Sequence, residues 1–244
     1  MRSLIRPDWP APARVRAAST TRLGGVSQAP YDSLNLGDHV GDQAADVAAN
    51  RRLLGQWLDL PGEPAWLRQV HGKQVIAAEA VRPDTAADAV YTGRPGPVCV
   101  VQTADCLPVL LCDEAGTWVA AVHCGWRGLA LEILPATLER APSRTARIMA
   151  WLGPAIGPDV FEVGDEVRAT FVALRADYAA CFRPSPAGRW LADIYGLARL
   201  QLRSAGVLAV YGGTHCTVTE VEPFFSYRRD GRTGRMASLI WLAS

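Results

Sequence analysis

Three reactive side chains stand where apolar runs break off. His71 lies in RQVHGKQ, Cys106 in TADCLPVLLCD and His123 in VAAVHCGWRG. Imidazole nitrogen and thiolate sulfur are donor types that suit Zn2+, or copper, which stands highest in the Irving–Williams order. Three protein donors leave one tetrahedral position for water or substrate, as in a catalytic rather than a structural zinc site. The separations, 35 residues and then 17, form no compact motif, so a second chemistry stays open: Cys106 as a nucleophile with His123 or His71 as its base. Asp105 adjoins Cys106 and is either a proton shuttle or the cap of its own turn.

The remaining histidines and cysteines read differently. His39 sits in NLGDHVGD, a loop of turn formers, facing either a cavity or solvent. His215 and Cys216 are adjacent at a predicted strand end, so their side chains point to opposite faces; Cys216 is assigned to the core and His215 is left open. Cys99, Cys112, Cys124 and Cys181 read as small buried hydrophobes.

A second constellation is basic. FFSYRRDGRTGRM carries Arg228, Arg229, Arg232 and Arg235, and Arg51 and Arg127 lie elsewhere in NRR and GWRG. Guanidinium forks suit phosphate or carboxylate; by charge type Arg51, Arg228 and Arg229 are the best phosphate clamps. Phe224, Phe225 and Tyr227 would form an aromatic shelf for a flat heterocycle, unless the stretch is merely a solvated loop. WLGPAIGPDVFEVGDEV leads from a Gly/Pro loop into a helix whose N–H groups could meet an anion. It is neither GxGxxG nor a P-loop.

Elements must hold these residues. The alternation in ARVRAASTT predicts a strand. GDQAADVAANRRLLGQWLDL predicts a helix with Asp42 as its cap and Val47, Leu54 and Leu58 on one side. AWLRQVHGKQVIAA predicts a hairpin turning at Gly72-Lys73. Two buried strands flank a break at 104–108, and TWVAAVHC is a third. LALEILPATLERA is a helix kinked at Pro135. ARIMAWLG, VLAVYGGT and MASLIWL are strands; EVGDEVRATFVALRADY and LADIYGLARLQLRSAG are helices. Strands cluster without a helix between each pair, which favours α+β: one domain over 1–244, with a mixed or antiparallel sheet and helices packed on it.

Composition excludes some classes. The 244 residues are 49% hydrophobic and 20% charged, with formal net charge +1. No field of that size draws the chain to nucleic acid or a membrane. No apolar run reaches 18 residues and no secretory h-region opens the chain, so a cytoplasmic location with reduced cysteines is expected. Four histidines cannot furnish a multicopper laccase.

Taken together, RQVHG, TADCLPVLL, AVHCGWRG, LGPAIGP, FEVG and FFSYRRDGRTGRMASLIWL resemble the YfiH-type family. That family has been labelled polyphenol oxidase or laccase domain, and later purine nucleoside phosphorylase; mammalian FAMIN is similar to it. The resemblance implies a single α+β domain akin in core topology to toxin-type cysteine hydrolases. It implies zinc, with copper an alternative in the same place, held by His71, Cys106 and His123. It also implies phosphorolysis of adenosine, inosine and methylthioadenosine, deamination of adenosine, and a link to peptidoglycan. Two positions depart from the pattern: Cys124 stands where the family commonly has alanine, and Val160 where it often has cysteine. The alternatives to a zinc-dependent nucleoside enzyme are a Cys106-dependent hydrolase of peptidoglycan-related amides and a copper-dependent phenol oxidase.

Overall fold

A computed structural model describes residues 4–142 and 147–244. Two sheets face each other, and helices cover both outer faces. The first sheet runs β1 (Leu4–Ile5), β2 (Val15–Thr20), β14 (Met236–Leu242), β6 (Val98–Thr103), β3 (Pro64–Ala65) in spatial order. The second runs β13 (Ala209–Gly212), β9 (Ile148–Leu152), β7 (Leu107–Asp113), β8 (Val119–Cys124), β5 (Ala89–Thr92), β4 (Val75–Ala77). Three pairings are parallel, β3 with β6, β4 with β5 and β13 with β9; the others are antiparallel. A small antiparallel sheet of β10 (Glu162–Val163), β11 (Phe182–Pro184) and β12 (Trp190–Ala192) lies apart. The mixed α+β class read from the sequence is the class observed.

The period-2 geometry of a strand explains why the central runs are apolar throughout. On β6, Cys99 and Val101 face the second sheet, meeting Leu110 and Ala121 there. Val98 and Val100 face outward onto Leu54 and Leu58 of α1 (Ala44–Leu58). On the second sheet, Leu107, Val109, Ala120 and Val122 face outward. They meet α2 (Trp126–Ala130), α3 (Ile133–Leu138), α4 (Asp165–Leu174) and α5 (Ile194–Ser204). Both faces of both sheets are therefore buried, in four layers.

The expected hairpin over 65–78 does not form. β3 belongs to the first sheet and β4 to the second, each pairing in parallel with a different strand. The intervening 66–74 segment crosses between sheets. The chain crosses again at 104–106, since β6 and β7 also lie in different sheets. Two other expectations are corrected. Gln43 rather than Asp42 occupies the N-cap of α1; the Asp42 carboxylate accepts from Ser27 and Asn35 instead. The predicted helix at Pro135 is two short helices. They are parted at Glu132, whose φ of 62° is left-handed, because a proline ring cannot follow an unbroken turn.

Candidate metal centre

The two crossings and the end of one strand meet at the seam between the sheets. His71 comes from the first crossing, Cys106 from the second, and His123 from β8 on the face that looks toward the first sheet. One donor atom from each lies within 4.8 Å of the others. Cys106 Sγ is 3.7 Å from His71 Nε2, and the two imidazoles meet edge to face at 4.7 Å. His123 is buried, Cys106 half-buried and His71 exposed, so the cluster opens to solvent on one side.

A fourth residue, Asp88, organises the trio. It is completely buried and lies one position before β5. Its Oδ1 accepts from His123 Nδ1 at 2.8 Å and from the His71 amide at 2.9 Å. Its Oδ2 accepts from the amides of Gly72, at 2.7 Å, and Val70, at 3.2 Å. Three consecutive amides wrapped on one carboxylate hold His71 at φ 58°, a left-handed conformation rare for a non-glycine residue. The carboxylate also demands the proton on His123 Nδ1, which leaves Nε2 as the outward-facing donor. This is the carboxylate–histidine arrangement that supports metal ligands. Burial alone would raise the Asp88 pKa, yet bonds from His123 and the amides of Gly72 and His71 hold it below the usual carboxylate range.

The trio is polarised. Burial opposes ionisation of Cys106, but the charge and hydrogen bond of His123, together with His71, bring its thiol down to about 6. Burial likewise opposes the His123 imidazolium, and the Cys106 thiolate and Asp88 outweigh it. The donor set fits a zinc ion: two imidazole nitrogens, one thiolate and room beside them. The room depends on Gly125. A Cβ at that position would stand 2.8 Å from His71 Cδ2 and 3.2 Å from Cys106 Sγ. Gly125→Ala is therefore expected to weaken metal binding on the order of 10–100-fold, the range for disturbed supporting groups, with little loss of helix content. Competition against a chromophoric chelator checks it, and unchanged affinity would show the site to lie elsewhere.

A family model described as multi-copper polyphenol oxidoreductase laccase matches residues 16–243. The chain belongs to this family, the YfiH family. It is 54% identical to the purine nucleoside phosphorylase YfiH of Escherichia coli over 243 residues, 99% of this chain and all of that one. A purine nucleoside phosphorylase of Haemophilus influenzae is 48% identical, covering 97% of this chain and 98% of its own. Among solved structures, a Neisseria meningitidis protein superposes with TM-score 0.95 at 51% identity, covering 99% of each chain. YlmD of Geobacillus stearothermophilus superposes with TM-score 0.91 at 33% identity, covering 100% and 97%.

The other nominated residues of this YfiH-type chain fall in several places. Both oxygens of Asp105 are engaged, Oδ1 by the Thr217 hydroxyl and Oδ2 by the Arg228 amide, each at 2.6 Å. Asp105 thus ties the C-terminal loop to the crossing instead of capping its own turn. Arg229 points inward, donating to the carbonyls of Thr217, Val218 and Phe224 and pairing with Asp230. Arg228 gives Nη1 to the Glu162 carbonyl and leaves its other donors uncommitted. Arg51 gives Nε and Nη2 to the Leu36 carbonyl, pairs with Asp38, and lies 4.0 Å over the Trp66 ring. It lines a cavity of about 790 Å3 together with His39, Gln69 and Gln102. Phe224 and Phe225 are buried, so no aromatic shelf exists there; only Tyr227 is exposed. The first turn of α4 carries Asp165 and Glu166, which excludes the anion site expected at its start. His215 pairs with Glu220 and lines a separate cavity of about 390 Å3 with Cys216, which is half-buried and not core. Cys99, Cys112, Cys124 and Cys181 are buried as expected, and Cys124 faces the helices, away from His123.

Asp88 was not named from the sequence, and Arg235 was named in the basic run without being chosen as a phosphate clamp. Arg235 is close enough to act electrostatically on Cys106, Asp105 and His39. Among the described residues, no helix is long and apolar enough to cross a membrane.

Proposed function

We propose that this chain is a zinc-dependent purine nucleoside phosphorylase of the cytoplasm. Its substrates are adenosine, inosine and methylthioadenosine, cleaved to free base and ribose-1-phosphate or its methylthio counterpart. Adenosine deamination is a second activity at the same centre. The observation that carries this reading is the convergence of His71, Cys106 and His123 on one space, with Asp88 fixing the tautomer of His123. The names of the relatives supply the substrate class.

Phosphorolysis breaks the C1′–N9 bond and forms a C1′–O bond to phosphate; the base leaves with the electron pair and takes a proton. A bound divalent ion supplies Lewis-acid charge that favours anionic groups on substrate or leaving base. The chain's own residues do the rest. His71, Cys106 and His123 hold the ion; copper meets the same donors and is the alternative occupant. Arg51 and Arg228 retain N–H donors for phosphate, while Arg229, committed to carbonyls, positions the loop that carries Arg228. Asp88 keeps His123 oriented without exchanging protons with substrate, since both its oxygens are filled. Asp105 is similarly filled, so the proton shuttle that deamination needs lies with another group or with solvent.

One observation favours a second reading. A half-buried thiol brought to about 6 between two imidazoles is also the constellation of a cysteine nucleophile, the arrangement the toxin-type hydrolase resemblance implies, with amide substrates. Product analysis separates the two. Metal-quantified protein is given adenosine with and without phosphate. Adenine and ribose-1-phosphate appearing only with phosphate, and lost in His71→Ala, are the expected result; inosine formed without phosphate reports the deaminase branch. No turnover of any nucleoside by metal-replete protein would overturn the reading, and labelling of Cys106 by an amide-mimicking electrophile would then favour the hydrolase.

A further inference from the structure

Arg235 is half-buried, and no carboxylate among the described residues forms an ion pair with it. Burial opposes its charge, and a charge taken out of water without a partner is costly. Asp105, a carboxylate whose field reaches it, already has both oxygens engaged by the Thr217 hydroxyl and the Arg228 amide.

The side chain is nevertheless held in place. The Arg235 amide donates to Asn35 Oδ1 at 2.9 Å, and its carbonyl accepts from the Leu36 amide at 3.1 Å. Nη1 donates to the carbonyls of Thr233 and Gly234, each at 3.0 Å. Gly37 packs on the stem, where a Cβ would stand 2.7 Å from Arg235 Cγ. Nε and Nη2 donate to no protein atom among the described residues. Neither is one of the buried atoms left without a partner, so that edge of the guanidinium is open to solvent. Its parallel N–H groups match an oxyanion bidentately. Other arginines nominated for phosphate, or lying in the same run, differ. Arg51 gives this edge to the Leu36 carbonyl, Arg229 to Asp230, and Arg232 to Tyr31 and Gly41. Arg228 keeps its edge but is exposed and turned to the Glu162 carbonyl, so water can solvate it.

The register brings Arg235 to the metal centre. β14 runs antiparallel to β6 with Met236 opposite Thr103. Arg235, one residue earlier, is therefore level with the 104–106 crossing that carries Cys106. The Cys106 thiolate is the charge that acts on it most strongly. With a cation held by the trio, that thiolate no longer balances the guanidinium. We infer that Arg235 binds the phosphate co-substrate beside the metal trio, through its Nε–Nη2 edge. The inference rests on the phosphorolysis reading above and gives its co-substrate a specific anchor. The guanidinium stays charged throughout and exchanges no proton, so it acts through the affinity and orientation of phosphate.

The test is steady-state kinetics of metal-quantified protein with adenosine and varied inorganic phosphate, in the wild type, Arg235→Met and Arg235→Lys. Arg235→Met should raise the phosphate KM roughly 10–100-fold, the effect of losing charge-assisted bonds, with the adenosine KM and metal content near wild type. Arg235→Lys keeps the charge without the fork, and its phosphate KM should fall between the two. An unchanged phosphate KM in Arg235→Met would overturn the inference while leaving the phosphorylase reading intact. So would an adenosine KM or metal content that shifts as much as the phosphate KM, because a merely structural role would move all three. If the methionine variant does not fold, the lysine variant decides: a phosphate KM equal to wild type refutes the inference. If the wild type turns over no nucleoside, the phosphorylase reading fails by itself, and calorimetric titration with inorganic phosphate decides. Binding by the wild type that weakens roughly tenfold or more in Arg235→Met upholds the inference, and equal or absent binding refutes it.

Discussion

Cys106→Ser is expected to release the metal and to lower nucleoside turnover about a thousandfold or more. A serine hydroxyl stays protonated and is a poor ligand beside two imidazoles, whereas the Cys106 thiol is already drawn down to about 6 by those imidazoles. Two donors cannot hold the ion as three do. The Lewis-acid contribution lost is several kcal/mol, and each 1.36 kcal/mol is about a decade in rate. Elemental analysis together with steady-state kinetics checks the result. Full metal content with near-native turnover in Cys106→Ser would remove the trio from the chemistry. Full metal content with abolished turnover would instead make the thiol a reacting group.

The second large effect is expected at Asp88. In Asp88→Asn the neutral amide can still accept from His123, but it brings an NH2 group against backbone donors that now point at Oδ1 and Oδ2. Metal affinity should fall on the order of 10–100-fold, as for other groups that orient a ligating histidine. The apoprotein should lose about 1–3 kcal/mol at neutral pH, the loss for leaving buried donors unmet. The sign of the pH dependence follows from the depressed Asp88 pKa. Because the folded value lies below the ordinary aspartate value of 3.8, the stabilisation is complete above about pH 4 and disappears as the pH falls through the folded value. The gap between wild type and Asp88→Asn, measured by urea unfolding of the apoproteins, should therefore narrow below pH 4. A gap that widens there, or metal affinity equal to wild type, would refute the role given to Asp88.

The chemistry-bearing residues were readable because polarity interrupts their runs. Cys106 and His123 break stretches whose neighbours are buried on both faces, and an imidazole or thiol at such a strand end stands out. Asp88 did not stand out. An acid between Ala87 and Ala89 looks like ordinary turn punctuation before a strand; its meaning lies in three amides 16 to 18 residues away. The same amides explain the missing hairpin. Local alternation around His71 suggested two strands turning at Gly72, but the turn is wound on Asp88 and its flanks pair with strands of different sheets. Short strands such as β3 and β4 take their partners from tertiary context, which alternation does not encode. Arginine roles were hidden for a related reason. Charge type groups Arg228 with Arg229, while the fold points one outward and satisfies the other internally. A sequence run marks the presence of a guanidinium and not its direction.

The placement of β14 bears on how the protein is made. It lies between β2 and β6 in the first sheet, pairing Ser238 with Ser19 on one side and with Val101 on the other. A middle strand of that sheet thus comes later in the chain than every other strand described. Until it arrives, β2 and β6 each present an unpaired edge, and the segment carrying Cys106 hangs from one of them. Such edges are templates for association with other chains. Long-range closure of this kind also folds slowly. Before β14 is placed, the strands of the helix-covered second sheet are all present in the chain while the first sheet is open.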